Sequence, residues 1–226
     1  MFRVCNNLTS LNVSSFDTSK VANMGHMFRY CGKLESLDLS NFDTSKVTTM
    51  ASMFRDCRGL TNLDLSDFNT SSAKGMQQMF YYCSRLTTLD ISGFDTRNVT
   101  DMALMFYNDI VLQRIYVGDN WNTEQVENTV DTSLSISVEN QLMLYGCVKL
   151  VGGSETSYSS SNENDLTYAH VDEGETNPGY LTYKEKTPEE EIDPASVNSL
   201  MSNNNKSLLN ANYGSTLGEL LGITNE

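Results

Sequence analysis

A Met-Phe pair stands at Met1-Phe2, Met27-Phe28, Met53-Phe54, Met79-Phe80 and Met105-Phe106, so the chain returns to the same two residues every 26 positions. A period of this length implies supersecondary units that cannot bury their apolar stripe alone and must stack on their neighbours. The shared pattern is M-F-x-x-C-x-x-L-x-x-L-D-L-S-x-F-D-T-S-x-V-x-x-M, with two variable residues before the next pair, and four units copy it closely. Met1 falls in register with Met27, in mid-period, and a start in mid-period predicts a piece of a longer, N-terminally truncated array.

Within a unit, Leu60, Leu63 and Leu65 carry an L-x-x-L-x-L signature, repeated by Leu34, Leu37 and Leu39 and by Leu86, Leu89 and Ile91. Alternating leucines of this kind predict a short strand with its leucines inward. Further along, Val47, Met50, Phe54 and Cys57 fall at i, i+3, i+7 and i+10, which predicts a helix. Its start is marked by Asp43 as a cap and by Phe42 five residues before Val47, a hydrophobic staple. Asp17, Asn69 and Asp95 hold the same cap slot, with Phe16/Val21, Phe68/Ala73 and Phe94/Val99 as staples. The fold class expected is therefore α/β: a leucine-rich-repeat solenoid with short parallel strands on its concave side and helices on its convex side.

The pattern fades after the fourth unit. Asp109 replaces the cysteine, "YVGDNW" replaces the strand end, and Trp121, Asn122 and Val126 keep the staple spacing shifted by one residue. In "LYGCVKL", Leu144, Cys147 and Leu150 match the Phe, Cys and Leu slots, with Leu144 lying 38 residues beyond Phe106. The expected organisation is repeats over residues 1 to 130, a degenerate last repeat and cap over 131 to 183, and an acidic linker and tail with short helices over 184 to 226.

Charge is divided as sharply as pattern. Residues 1 to 107 hold ten Lys/Arg and ten Asp/Glu, residues 108 to 226 five and nineteen, so the net charge of −14 lies in the second part. Such an acid excess disfavours nucleic acid or an anionic membrane as partner. No run of 18 apolar residues is present for direct membrane insertion.

The stretch "LESLDLSNFDTSKVTTMASMFRDC" resembles the 26-residue bacterial surface protein repeat, which is similar to BspA-like leucine-rich repeats and to a domain of unknown function common in Mycoplasma lipoproteins. The likeness covers residues 1 to 107 repeat by repeat, and "CVKLVGG", "YAHVDEG" and "NPGYLT" look like the cap that follows such repeats. It implies a secreted or surface-attached bacterial protein, adhesion to host proteins or other cells, and no catalytic residues.

The candidate functional residues fall into three groups. Cys5, Cys31, Cys57 and Cys83, spaced by 26, stack in a column that suits buried thiols rather than a C-x-x-C metal site. Asp38, Asp64 and Asp90, flanked by Ser40, Ser66 and Ser92, form a carboxylate column on the strand face, either solvated or bridged by calcium or a cationic partner. Arg29, Tyr30, Arg55, Tyr81, Tyr82 and Tyr107 occupy the least repeated slots, extended by Tyr116, and Arg and Tyr are enriched at interface hot spots. No phosphate loop, metal motif or acid, base and nucleophile constellation appears, so no cofactor and no enzymatic reaction are expected. The sequence reads as a noncatalytic module that binds an extracellular protein or glycan, or alternatively as a spacer segment of a larger surface protein.

Overall fold

A computed structural model describes residues 1–127, 142–162 and 166–185. The compact unit runs Met1–Glu185, and the linker and short helices expected over 184 to 226 fall, from residue 186 on, outside the described residues. So does the segment over 128–141 that separates the fifth and sixth units.

The expected helices are not there: among the described residues the only helical turn is a 3-10 turn at Leu166–Tyr168, so the chain is not an α/β solenoid with a helical convex side. The reason lies in where the backbone donors go. In a helix each N–H bonds four residues back. Here Met50, Ser52, Phe54 and Asp56 donate instead to Gly75, Gln77, Met79 and Tyr81 of the next coil, at 2.7 to 2.9 Å. Between them, Met53 donates to Met50 and Cys57 to Phe54 at 3.1 and 3.0 Å, closing tight turns. The i, i+3 spacing of apolar residues is thus the spacing of successive turn ends, all pointing inward.

These turns need a left-handed corner. Positive φ recurs at His26, Ser52, Gln78 and Leu104, and again at Val4, Tyr30, Asp56, Tyr82 and Asn108, in both series 26 residues apart. Each is the third residue of a four-residue turn, where a type II geometry demands φ above zero. Asp43, expected as a helix cap, caps a turn instead: its Oδ1 accepts the Ser45 N–H at 3.0 Å and the Ser45 hydroxyl at 2.6 Å. Asp17 and Asn69 repeat the arrangement on Ser19 and Ser71.

The strand side is also less regular than the leucines imply. Among the described residues the strands are Thr88–Asp90 (β1), Arg114–Val117 (β2) and Thr182–Tyr183 (β3), parallel and in the order β1-β2-β3, with Leu89 opposite Ile115 and Tyr116 opposite Thr182. The leucine slots are nevertheless buried in every coil from Leu34 to Ile91.

Equivalent residues meet in columns. The rings of Phe2, Phe28, Phe54, Phe80 and Phe106 stack at 5.6 to 5.9 Å. Beside them the thiols of Cys31, Cys57 and Cys83 donate to the carbonyls of Phe2, Phe28 and Phe54 one coil back, at 3.1 to 3.3 Å. A buried threonine column adds a polar rung: Thr18, Thr44 and Thr70 donate to the carbonyls of Asp43, Asn69 and Asp95.

The last coil is closed by the segment after Leu150. The Tyr158 hydroxyl accepts the Gly146 N–H at 3.1 Å, and the Trp121 indole donates to Ala169 at 2.9 Å. Asp172 organises this cap, accepting the N–H groups of Ser154 and Thr156 at 2.9 Å and the Thr156 hydroxyl at 2.7 Å. A Cβ on Gly152 would collide with Gly179 and Asp172, so only glycine lets the chain pass there.

Leu63→Ala is expected to cost about 2 to 5 kcal/mol in urea unfolding, because its neighbours above and below cannot collapse into the void. Burial would raise the Asp172 carboxyl, but the Thr156, Gly174 and Gly179 donors overcome it and bring the pKa down to about 2. A depressed carboxyl adds stability above its unfolded pKa that is lost as pH falls through the folded one. Acid titration of stability should therefore show a loss between about pH 4 and pH 2 that Asp172→Asn removes.

Candidate binding face

The turn from Phe28 to Cys31 buries its two ends and leaves Arg29 and Tyr30 as its corners, closed by the Cys31 N–H on the Phe28 carbonyl at 3.1 Å. Every coil repeats the turn, so its corners form two columns on the outside. One runs Arg3, Arg29, Arg55, Tyr81, Tyr107 and then Tyr145; the other runs Val4, Tyr30, Asp56, Tyr82 and Asn108. Core packing dictates the ends of the turn and leaves the corners free to vary, which is why the repeat is weakest there.

The corners interact along the column. Arg55 lies over the Tyr81 ring at 4.3 Å, Tyr81 stacks on Tyr107 at 4.9 Å, and Tyr107 on Tyr145 at 5.0 Å, the ring planes within 10°. Tyr82 leans on both Tyr81 and Tyr107, and its hydroxyl accepts from Asn108 at 2.8 Å. Arg55 is itself 7% exposed, fixed by the Gln78 side-chain oxygen and, at 3.6 Å, by Asp56. Arg58 grips Asp56 from the other side at 2.6 Å and covers the Tyr82 ring at 5.2 Å. Arg29 stacks on Tyr30 at 4.9 Å and reaches its hydroxyl at 3.3 Å. Stacked cations and rings of this kind add about 0.5 to 2 kcal/mol each and hold the face rigid.

Of the residues singled out in the sequence, Arg29, Tyr30, Arg55, Tyr81, Tyr82 and Tyr107 share this face. Tyr116 does not extend it: it belongs to β2, opposite Asp90 in the strand ladder. The sequence pattern missed Arg3, Asp56 and Asn108, which the 26-residue offset would have supplied, Arg58, which stands outside the corner slots, and Tyr145, whose place is hidden by the longer spacing of the last coil.

The carboxylate column lies on the strand side and is satisfied locally. Asp38, Asp64 and Asp90 each accept the N–H of the serine two residues on at 3.0 to 3.1 Å, and the Ser40 and Ser92 hydroxyls add a bond of 2.7 Å. The Ser40 donors hold the Asp38 pKa below its ordinary value. A shallow depression of about 50 Å³ lies beside Asp38, Asp64, Asp67 and Phe68. The cation that meets Asp90 is the chain's own Lys184, at 2.7 Å. Among the described residues no group of three or more His, Cys, Asp or Glu is placed to hold a metal ion.

One residue breaks the interior columns. Asp109 occupies the cysteine slot between Cys83 and Cys147, 1% exposed, and neither carboxyl oxygen has a hydrogen-bonding partner. Burial pushes its pKa well above the ordinary range, and the nearby Cys83 N–H, itself bonded to the Phe80 carbonyl at 3.0 Å, offsets only part of that. The neighbouring thiols are raised by burial as well, and Cys147 donates to the Phe106 carbonyl at 3.0 Å.

The fold and face together define a class of architecture: a stack of turn-built coils with a repeated interior and a variable corner column. The family described as "Mycoplasma protein of unknown function, DUF285" matches residues 1–118 and 85–140, and the chain belongs to it. No curated protein and no solved structure matches the chain.

Asp109→Cys restores the repeat and is expected to stabilise the protein by about 1 to 3 kcal/mol, the cost of a buried unpaired polar group. A raised carboxyl loses stability as pH rises above its unfolded value. The gain from Asp109→Cys should accordingly grow between about pH 4 and pH 7, read by chemical unfolding at each pH.

Proposed function

We propose that this chain is a noncatalytic binding module of a secreted or surface-attached bacterial protein, and that its ligand is an extracellular protein or glycan held on the Arg/Tyr corner column. The observation that carries this reading is the contrast between slots. Phe, Cys and Leu positions repeat coil after coil, whereas one corner column carries only Arg or Tyr at six successive places, Arg3 through Tyr145. Packing does not require those residues, and Arg and Tyr are the side chains that concentrate binding energy at interfaces.

Rigidity supports the same reading. Arg55, Tyr81, Tyr107 and Tyr145 are locked against one another, so little rotamer entropy remains to be lost on binding. The surface location rests on the likeness of the repeats to those of BspA-like bacterial surface proteins, and adhesion is the role that likeness suggests.

The test is a screen of the purified chain against immobilised extracellular-matrix proteins and glycans, beside a variant carrying Tyr81→Phe, Tyr82→Phe and Tyr107→Phe. Those changes keep the rings and remove the hydroxyls. Binding should weaken by about tenfold or more, with an unchanged melting temperature. Equal binding by the variant would move the site off this face, and a folded protein that binds nothing would favour a spacer role.

A further inference from the structure

We infer that the ligand of the corner face is an acidic polysaccharide, carboxylated or sulfated, whose charges lie along Arg3, Arg29 and Arg58 while its hydroxyl groups meet the tyrosine rims. This rests on the binding reading above and narrows it to one ligand chemistry.

The first support is geometric. Arg3, Arg29 and Arg55 sit at the same corner of three successive coils, tied together by Val4 N–H on the Arg29 carbonyl at 2.7 Å and Tyr30 N–H on the Arg55 carbonyl at 2.8 Å. The step between corners is therefore the spacing of paired strands, about 4.8 Å. Corner positions in such a row, with Arg3 and Arg29 unburied and Arg58 beside them, suit a polymer whose charges also recur along its length.

The second support is the local balance of charge. Among the described residues the carboxylate paired with Arg55 and Arg58 is Asp56, which is buried, and no ion pair is found at Arg3 or Arg29. Arg29 has only neutral partners, the Tyr30 hydroxyl and, at 3.4 Å, the His26 ring. Arg3 is exposed and the Arg58 side chain is 60% exposed, so both can reach a ligand. Arg55 is not a contact residue: buried between Asp56, Gln78 and Tyr81, it positions the Tyr81 ring. His26 reports the resulting field, its pKa lowered by burial and then by Arg29, Arg3 and Arg55. The acid excess of the chain lies in residues 108 to 226, whereas residues 1 to 107, which carry this row, balance ten Lys/Arg against ten Asp/Glu.

The third support distinguishes a polysaccharide from an acidic peptide. Because Arg55, Tyr81, Tyr107 and Tyr145 stack in turn, both ring faces of Tyr81 and Tyr107 are covered, and these half-buried tyrosines are left to meet a ligand by their rims. Rims offer hydroxyl groups and little flat apolar surface, which suits a ligand rich in hydroxyls and carrying no apolar anchor.

The experiment measures binding of the full chain to heparin, hyaluronan, a neutral glucan, poly-L-glutamate and a single-stranded oligonucleotide, between 50 and 200 mM salt. A second protein carries Arg3→Gln and Arg29→Gln, neither of which is buried. The expected result is binding to heparin or hyaluronan alone, weakened about tenfold or more by the rise in salt. The double variant should lose that binding at an unchanged melting temperature. Equal binding to poly-L-glutamate or the oligonucleotide would overturn the inference, as would a double variant that binds like the parent. Salt-insensitive binding to the neutral glucan, lost only in the tyrosine variant, would remove the acidic ligand and keep the binding face. Failure to bind any of the five would overturn the acidic ligand as well, and the matrix-protein screen would then decide the broader reading alone.

Discussion

The structure depends on one backbone device: alternate N–H groups of the Met-Phe segment leave their own coil and bond to the next. Met24, His26, Phe28 and Tyr30 donate to Thr49, Ala51, Met53 and Arg55, and the following coils do the same one period on. The intervening groups can then be satisfied only by tight turns, and the turns demand two left-handed residues per coil. A non-glycine residue pays about 1 to 2 kcal/mol for that conformation. The cost is met by the ladder itself and by apolar columns that exist only when coils stand in register. Register, in turn, keeps the Phe rings and the Cys thiols in their columns at the 26-residue period, and the longer spacing before the last coil still returns the Cys147 thiol to the Phe106 carbonyl.

This explains what the sequence disclosed and what it concealed. The residues that point inward were legible, because Phe, Cys and Leu recur at fixed offsets whatever the backbone between them does. The cap residues Asp43 and Asn69 were legible as caps, because a carboxylate or amide serves the first N–H groups of a turn as readily as those of a helix. The helix was a misreading of i, i+3 spacing, which a helix shares with a chain of three-residue turns. The distinguishing signal was present in composition: Val47, Thr48 and Thr49 in one coil and Gly75 in another are poor helix formers placed where the helix was expected. The threonine column was invisible for a related reason, since D-T-S looks like capping chemistry while Thr44 and Thr70 are in fact buried and bonded across coils.

The corner face was half legible. Arg29, Tyr30, Arg55 and the three tyrosines stand out because they vary where their neighbours do not, but variation alone cannot say which of them touch. Stacking does: Arg55 closes one end of the tyrosine column and is the point where guanidinium gives way to phenol. Tyr116 lies on the strand side, as the alternation of its strand implies, opposite Asp90 and apart from the corner columns. The last coil was obscured by its longer spacing, so Tyr145 could be placed only once Asn108 and Phe106 were seen to donate to Tyr145 and Met143.

A stacked fold of this kind separates two demands that compete in most small domains. The interior must be identical from coil to coil, because each Phe packs on the Phe before it, and Asp109 shows how conspicuous one exception is. The corners carry no such restraint, since their backbone bonds are fixed by the ladder whatever side chain they bear. Unburied corners such as Arg3 and Arg29 can therefore change without disturbing the core, while buried Arg55 ties the positively charged half to the aromatic half on one rigid support. The left-handed corners sharpen the point. Glycine would suit Tyr30 and Tyr82 better on backbone grounds, at φ 65 and 59, yet bulky side chains stand there. Part of their strain is recovered in contacts with Arg29 and Asn108, and the side chains themselves remain on the face where a partner would meet them.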